Sequence, residues 1–336
     1  GMYIALTLHL LWTLGAAAVI TRRQRIPASA AAWLALVFLL PVAGTLLYVL
    51  AGYRRAVPAA ESCDCRGDAV EQIVARGCGT RPAPRNSVSL LHNGSNAFTA
   101  LIAALQHAVR SIHMEYYIIR DDRIEGDAVK DLQRLFIADW ARVTDECLDL
   151  RRYVAPHGIR QRLPIQLAWS EEGPSRLTIA EAFAAAVVRA RQRVRICSPY
   201  FLPPTLILDA LRLAARGGIR VEVMIPTCSD SPFSDLVSDS YVADLLDAGV
   251  ELYRYDNGFL HAKLVIVDDT LASVGTANMD YRSLTDNLEV TAFIRDRETV
   301  RQLAATFDDD LASCRRITRA EWRPPLCRRT LGDVLR

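Results

Sequence analysis

Asn257–Val290 reads NGFLHAKLVIVDDTLASVGTANMDYRSLTDNLEV, and its sequence of apolar runs, turns and polar side chains is the strongest structural signal in the chain. It contains His261, Lys263 and Asp268 in the spacing H-x-K-x-x-x-x-D. Because side chains alternate between the two faces of a strand, an imidazole and an ammonium two residues apart point the same way. A nucleophile beside a phosphate-binding cation is what phosphoryl transfer requires. The pattern therefore predicts a strand that carries a phosphoryl-transfer site.

The lysine at position 263 strengthens this signal. The chain has 40 basic residues, and only Lys130 and Lys263 among them are lysines. At a position where any cation would serve, so biased a composition would be expected to place arginine. Lysine differs from arginine in presenting a compact point charge that fits a tight site. The residue choice thus favours a specific phosphate contact over a chance surface charge.

Composition bounds the remaining possibilities. The 336 residues suffice for two ordinary domains with additional segments. A net charge of +2 gives no global basic field, so no nucleic-acid partner is expected. The eight cysteines form no C-x-x-C pair, which favours ordinary thiols over a metal site, although a disulfide within residues 63–78 stays open if that segment faces an oxidising compartment.

The N-terminal end has the character of a membrane segment. Met2–Ile20 and Ala28–Tyr53 are long apolar runs, separated by the basic stretch Thr21–Arg25. About 20 apolar residues suffice to span a bilayer, so residues 1–55 are predicted to form a transmembrane helical hairpin. A cleaved signal peptide is disfavoured, because the first run lacks a positively charged start and a second run follows at once. Arginines follow both runs and leave the orientation open.

The remainder reads as a repeated α/β unit after a predicted linker over residues 56–86. The first copy, assigned to residues 87–150, has a strand, a helix, a strand and then a closing helix, at 87–92, 97–110, 112–119 and 125–140. The second copy, assigned to residues 151–336, inserts further helices and strands before its closing helix at 297–311. This alternation predicts a mixed sheet flanked by helices, with a truncated first half and a complete second half.

These segments together resemble the phospholipase D superfamily, and within it the bacterial cardiolipin synthases. The resemblance rests on the apolar hairpin, on SPYFLP at Ser198–Pro203, and on the segments Asn257–Lys263, Gly275–Ser283 and Asn287–Glu289. It implies a phospholipase D-like fold and the transfer of a phosphatidyl group between two phosphatidylglycerols, with release of glycerol. Family members of this kind carry two H-x-K-x-x-x-x-D motifs, whereas the other five histidines of this chain have no lysine two residues on.

The resemblance also assigns roles, with no metal or cofactor required. The candidate catalytic residues are His261, Lys263 and Asp268, and the candidate phosphate-binding or orienting residues are Asn278, Ser283 and Glu289. His261 would form a phosphohistidine intermediate, while Lys263 and Asn278 would hold the non-bridging oxygens. Glu289 would orient the imidazole through its other ring nitrogen, and Asp268 would form an ion pair.

The single motif leaves three interpretations open. Two chains can pair to bring two copies of the motif together, the chain can be an internally deleted relative with impaired activity, or a full-length partner can supply the missing half. A phosphodiesterase or nuclease acting as a dimer shares the motif, but it needs no membrane hairpin. The expected partners are a phospholipid, the membrane and a second copy of the chain. The expected location is the inner (cytoplasmic) membrane of a bacterium, as a multi-pass protein.

Overall fold

A computed structural model describes residues 12–17, 20, 27–49, 65, 67–91, 94–108, 123–126, 128–144, 148–149, 163–170, 176–258 and 260–322. The chain divides into two compact units, residues 1–58 and residues 59–336. Each unit is described by itself.

The N-terminal unit contains a helix pair that is broken at a proline. Helix α1 spans Pro27–Leu39, and helix α2 spans Pro41–Leu47. Pro41 disfavours helical geometry in the residue before it, and Leu40 accordingly adopts φ −133° and ψ 74°. A Cβ at Gly44 would lie 2.6 Å from the carbonyl oxygen of Leu36, so glycine permits the backbones of α1 and α2 to touch.

This unit does not confirm the predicted transmembrane hairpin. Within the described ranges, no helix combines the length and the apolar character that crossing a bilayer requires. The predicted second span, Ala28–Tyr53, is divided at Leu40, and the 13 residues of α1 extend for roughly 20 Å against a hydrocarbon core of about 30 Å. Most of the first span, Met2–Ile20, lies outside the described residues. Several apolar side chains of the unit are nevertheless exposed, among them Leu39 at 72% and Val42 at 75%.

The second unit is built on a mixed sheet. In its described part the strands lie in the spatial order β12 (Cys314–Ile317), β7 (Glu251–Tyr255), β6 (Arg220–Pro226), β4 (Arg193–Cys197), β8 (Leu264–Val267), β9 (Leu271–Gly275), β11 (Glu289–Ile294) and β3 (Ile165–Ser170). Strands β4, β6 and β7 are parallel, and the other neighbouring pairs are antiparallel. Two small sheets pair β1 (Asn86–Ser89) with β2 (Arg123–Gly126), and β5 (Phe201–Leu202) with β10 (Met279–Asp280).

Helices cover both faces of the large sheet. They are α3 (Ala69–Cys78), α4 (Gly94–Gln106), α5 (Ala128–Thr144), α6 (Thr178–Val188), α7 (Thr205–Arg216), α8 (Pro232–Asp247), α9 (Tyr281–Thr285) and α10 (Arg297–Leu311). Strand β8 shows the two-sided packing, because Val265 and Val267 join the core that contains α6, while Leu264 and Ile266 pack with Phe307 of α10. The predicted mixed α/β sheet flanked by helices is confirmed.

The prediction of a linker over residues 56–86 does not hold for α3. Asp68 caps this helix by accepting a hydrogen bond from the backbone N–H of Glu71 at 3.1 Å, and Gly79 ends it with φ +68°. Val74 and Cys78 are buried, and the Cys78 thiol donates to the carbonyl oxygen of Trp169 at 3.2 Å. The Ala-, Gly- and Arg-rich composition concealed an amphipathic helix that belongs to the core. The other predicted boundaries, at 87–150 and 151–336, stay predictions.

The segment assigned to the first half packs on the sheet through Ala128 and Leu132, and the buried amide of Asn86 reinforces this contact. Asn86 accepts a hydrogen bond from the backbone N–H of Ala128 at 2.8 Å, and it donates to the carbonyl oxygens of Ala83 at 2.6 Å and Leu163 at 2.9 Å. A strand, the helix α4 and the helix α5 lie close to their predicted positions. The strand predicted at 112–119 lies outside the described residues.

Candidate active site

His261 and Lys263 lie where the chain enters β8. Residues 260–263 have irregular backbone, so the predicted strand begins only at Leu264. Lys263 still has the parity of Val265 and Val267, which places it on the side of the sheet that packs on α6. Since Leu264 pairs with Cys197 and with Val274, the motif lies at the edge formed by the ends of β4 and β9.

The lysine ammonium and the histidine ring are in direct contact. Lys263 Nζ lies 2.9 Å from His261 Nδ1, and it donates to the carbonyl oxygen of His261 at 2.8 Å. The same ammonium also lies 3.3 Å from His261 Nε2, so it faces both ring nitrogens. A cation beside an imidazole is the pairing that the sequence pattern predicts for phosphate chemistry.

Glu289 lies at the start of β11, at the same edge. The Thr276 hydroxyl donates to its Oε2, and the Asn287 amide donates to its Oε1 at 3.1 Å. Among the described residues, no hydrogen bond joins Glu289 to His261. The expected orientation of the imidazole by this carboxylate is therefore not seen in this conformation.

Asn278 follows β9 in a loop that is fixed by a serine. The backbone N–H of Met279 donates to the Ser198 hydroxyl at 2.9 Å, and Met279 pairs with Phe201 of β5. Ala277 and Met279 line a small cavity together with Lys263, so the structure brings the Asn278 loop to the lysine. The Oδ1 atom of Asn278 is buried and has no hydrogen-bond partner in the described part of the chain.

Ser283 lies in α9, where its backbone N–H donates to Asp280 Oδ1 at 2.7 Å. The residue is only 1% exposed, and its Oγ is buried without a hydrogen-bond partner among the described residues. Its role at the site stays a prediction.

Asp268 follows the C-terminal end of β8, whereas His261 precedes its N-terminal end. The two residues therefore lie at opposite ends of the strand. Its carboxylate accepts hydrogen bonds from the backbone N–H groups of Arg191, Gln192 and Arg193, at 2.7, 2.8 and 2.9 Å. These residues lead into β4, whose other end adjoins the His261–Lys263 pair. The structure thus brings the first two residues of the motif together and separates the third from them.

Ser170, at the end of β3, was missed by sequence reasoning. Its hydroxyl accepts from the backbone N–H of Glu289 at 3.2 Å and donates to the carbonyl oxygen of Asn287 at 3.0 Å. A lone serine at a strand end has no motif that would identify it. Thr276 was also missed as a partner of Glu289, although it stands two residues before Asn278 in the small-residue turn.

Tyr200, in the SPYFLP segment, is a titratable residue beside the Asn278 loop. Burial and the hydrogen bond that its hydroxyl donates to Asp230 raise the pKa of Tyr200 to about 12. Tyr200 is therefore a neutral hydrogen-bonding group at physiological pH. Within the described ranges, no group of three or more His, Cys, Asp or Glu side chains is arranged to hold a metal ion.

The chain is similar to known proteins over much of its length. Residues 184–311 match the family model of the cardiolipin synthase, phospholipase D-like domain, and residues 10–52 match that of the phospholipase D-nuclease N-terminal segment. A cardiolipin synthase of Staphylococcus aureus is 41% identical over 202 residues, which are 60% of this chain and 41% of that protein. The major cardiolipin synthase of Bacillus subtilis is 38% identical over 60% of this chain and 42% of its own length. The match thus spans about two fifths of the length of these relatives.

Among solved structures, a phospholipase D family member, Nuc from Salmonella typhimurium, is 22% identical with a TM-score of 0.40, and the match covers 46% of this chain and 97% of that one. A phosphatidylserine synthase of Haemophilus influenzae is 14% identical with a TM-score of 0.44, over 60% of this chain and 51% of that one.

Proposed function

Because the chain belongs to the phospholipase D superfamily, we propose that it is a phosphatidyltransferase of the cardiolipin-synthesis type. It moves a phosphatidyl group from one phosphatidylglycerol to another and releases glycerol. The observation that carries this proposal is the contact between the Lys263 ammonium and the imidazole ring of His261. The same edge of the sheet carries the Asn278 loop.

In the first step, a ring nitrogen of His261 attacks phosphorus and the bond from phosphorus to the glycerol oxygen breaks. The departing alkoxide takes a proton from a second imidazole, so that glycerol leaves as a neutral alcohol. Lys263 and the Asn278 amide stabilise the charge on the non-bridging oxygens. In the second step, the second imidazole takes the proton of the acceptor hydroxyl, whose oxygen attacks phosphorus and releases His261.

The second imidazole comes from another copy of the chain, because the sequence has one H-x-K pattern. A two-fold axis beside the site would present the same histidine from each chain. A full-length partner that lends its own histidine, and a chain with impaired activity, are the competing accounts. Both are outcomes of the tests below.

We propose that the N-terminal unit attaches the enzyme to the inner membrane of a bacterium. Support comes from its exposed apolar side chains, since large apolar patches on a soluble surface are uncommon. Leu39, Val42 and Leu46 are 72%, 75% and 59% exposed. A lipid bilayer would remove these groups from water and present the phospholipid substrate nearby.

The test supplies detergent-purified protein with phosphatidylglycerol and measures glycerol release and cardiolipin. His261→Ala should lower turnover by about a thousandfold or more, because the nucleophile is lost. Lys263→Gln should lower turnover by about a hundredfold, because a charged phosphate contact is lost. Lys130→Gln is the matched control, with the same substitution at the other lysine, and should retain full activity.

Three results would contradict the proposal. Cardiolipin formed equally by the wild type and by His261→Ala would show that His261 is not the nucleophile. Absence of product from all variants would support the impaired relative, unless an added full-length synthase restored turnover. Cleavage of plasmid DNA by the wild type without any cardiolipin would support the phosphodiesterase.

A further inference from the structure

A small cavity lies behind Lys263, on the face of the sheet that packs on α6. Lys263, Gly275 and Thr291 contribute to its wall, together with the hydroxyl-bearing Ser198 and Ser273. Thr291 is 1% exposed, and its Oγ1 is buried without a hydrogen-bond partner among the described residues. Buried hydroxyls are ordinarily hydrogen-bonded, so this atom indicates a ligand inside the cavity.

The strand register explains why Thr291 and Lys263 face the same space. Thr291 of β11 pairs with Gly275 of β9, and Val274 pairs with Leu264 of β8. Continuing the antiparallel register by one residue places Lys263 opposite Gly275 on its other side. Lys263 and Thr291 therefore flank Gly275 on one face, with backbones about 10 Å apart, which is two strand spacings.

The absence of a side chain at Gly275 leaves a gap between these two residues. A Cβ at this position would lie 2.7 Å from Thr291 Oγ1 and 2.4 Å from the carbonyl oxygen of Val290. The Thr291 hydroxyl is thus directed at the space that a side chain at position 275 would occupy. The gap is bounded by an ammonium-bearing side chain on one side and by a hydroxyl on the other.

We propose that the gap over Gly275 binds one water molecule, and that Thr291 positions Lys263 through it. The cavity is small and has polar groups in its wall, so it suits one water molecule with two to four polar partners. The water accepts a hydrogen bond from the Lys263 ammonium and exchanges one with Thr291 Oγ1. This water would add to the direct contacts that the Lys263 ammonium makes with the ring and the carbonyl oxygen of His261.

Such a water would limit the motion of the long, flexible side chain of Lys263. A cation that is already in place stabilises developing charge without reorganisation. Thr291 is therefore a positioning residue, which acts on phosphate through Lys263. The assignment of phosphate binding to Lys263 rests on the proposed function, but the restraint of Lys263 by Thr291 does not.

The decisive measurement uses the scarcity of lysine. Protein labelled with ¹³C at the lysine ε-carbons gives signals from two residues only, and Lys130→Gln identifies that of Lys263. Thr291→Val, which removes the hydroxyl and keeps the shape, should lower the order parameter of the Lys263 ε-carbon to that of a mobile side chain, below about 0.6. Thr291→Ser, which keeps the hydroxyl, should retain the wild-type value.

Unchanged order in Thr291→Val overturns the proposal. Equal loosening in Thr291→Val and Thr291→Ser also overturns it, because the methyl group and not the hydroxyl would then matter. Should Thr291→Val fail to fold, Thr291→Ala replaces it. Thr80→Val is the matched control, since Thr80 is also buried but does not line the cavity, and its hydroxyl donates to the carbonyl oxygen of Leu167 at 2.6 Å. It should leave the order of Lys263 unchanged.

Two further measurements complete the test. A high-resolution crystal structure of the wild type should show a water within hydrogen-bond distance of Thr291 Oγ1 and Lys263 Nζ, and empty density there overturns the proposal. Turnover of phosphatidylglycerol should fall about tenfold in Thr291→Val with KM unchanged, and Thr291→Ser should restore it. If the wild type forms no cardiolipin, the proposed function fails, and the lysine order and the crystal density still decide this inference.

Discussion

At Asp268 the backbone leaves β8 with a φ of +52°, a conformation that aspartate tolerates better than most residues. Its carboxylate accepts hydrogen bonds from three successive backbone N–H groups, those of residues 191–193. The first two donors precede β4 and the third, Arg193, begins it, and β4 neighbours β8 in the sheet. Asp268 therefore fixes the turn before β4 to the end of β8, and this function is separate from the chemistry at His261.

Replacing Asp268 tests this separation. Asp268→Ala should lower the free energy of unfolding by about 2 kcal/mol, because three N–H groups lose a charged acceptor. Turnover of the folded fraction should change less than about twofold, since the residue lies at the edge remote from the site. Urea unfolding and phosphatidylglycerol turnover measure the two quantities.

The control is Asp209→Ala, which removes an exposed ion pair with Arg212 and should cost less than about 0.5 kcal/mol. A hundredfold loss of turnover at normal stability would instead place Asp268 in the catalytic machinery.

At the scale of elements, α3 tests whether the N-terminal part of the second unit belongs to its core. A Cβ at Gly77 would lie 2.0 Å from Thr178 Oγ1, so glycine allows α3 to approach α6 closely. Gly77→Ala should lower the free energy of unfolding by about 2 kcal/mol through overpacking. In a Thr178→Ala background the same change should cost about half as much, because the obstructing atoms are gone. Equal costs in both backgrounds, measured by urea unfolding, would show that α3 does not pack on α6 in this way.

The same elements show what the sequence reveals and what it conceals. The apolar pattern located the closing helix α10 at its predicted bounds, 297–311, because an amphipathic helix has a regular period. Helix α3 was missed because its Ala, Gly and Arg content is common to linkers. Pro41, where the helix breaks, can be seen in the sequence. The contact of Gly44 with α1 depends on how the chain folds back after Pro41, and no local pattern specifies this.

At the scale of the whole molecule, the proposed mechanism needs a second histidine. If two chains supply one site, His261→Ala co-expressed in equal amounts with the wild type should reduce turnover per total protein to about a quarter, because random pairing leaves a quarter of the dimers intact. Independent chains would give about a half. Co-expression with Lys130→Gln should leave turnover unchanged. A native mass of one chain in detergent, for a preparation that turns over, would contradict pairing.

The sequence predicted His261, Lys263 and Asn278 as site residues, and the structure brings Lys263 into contact with His261 and into one cavity wall with the two neighbours of Asn278. The sequence did not identify Ser170 or Thr291, which reach the site from strands distant in sequence. Their relation to Glu289 and to Gly275 depends on strand order, and strand order is a property of the assembled sheet. Tertiary neighbours of this kind have no signature in a single sequence.

The sheet carries its reactive groups at one edge and the Asp268 anchor at the other, and this separation has a practical consequence for engineering. Substitutions that tighten the turn at residues 191–193 against Asp268 can raise the thermal tolerance of the protein without altering the candidate site. Changes at the candidate site can be made independently in the loops around Asn278 and Tyr200. Libraries for the two properties can therefore be built on separate residues and combined.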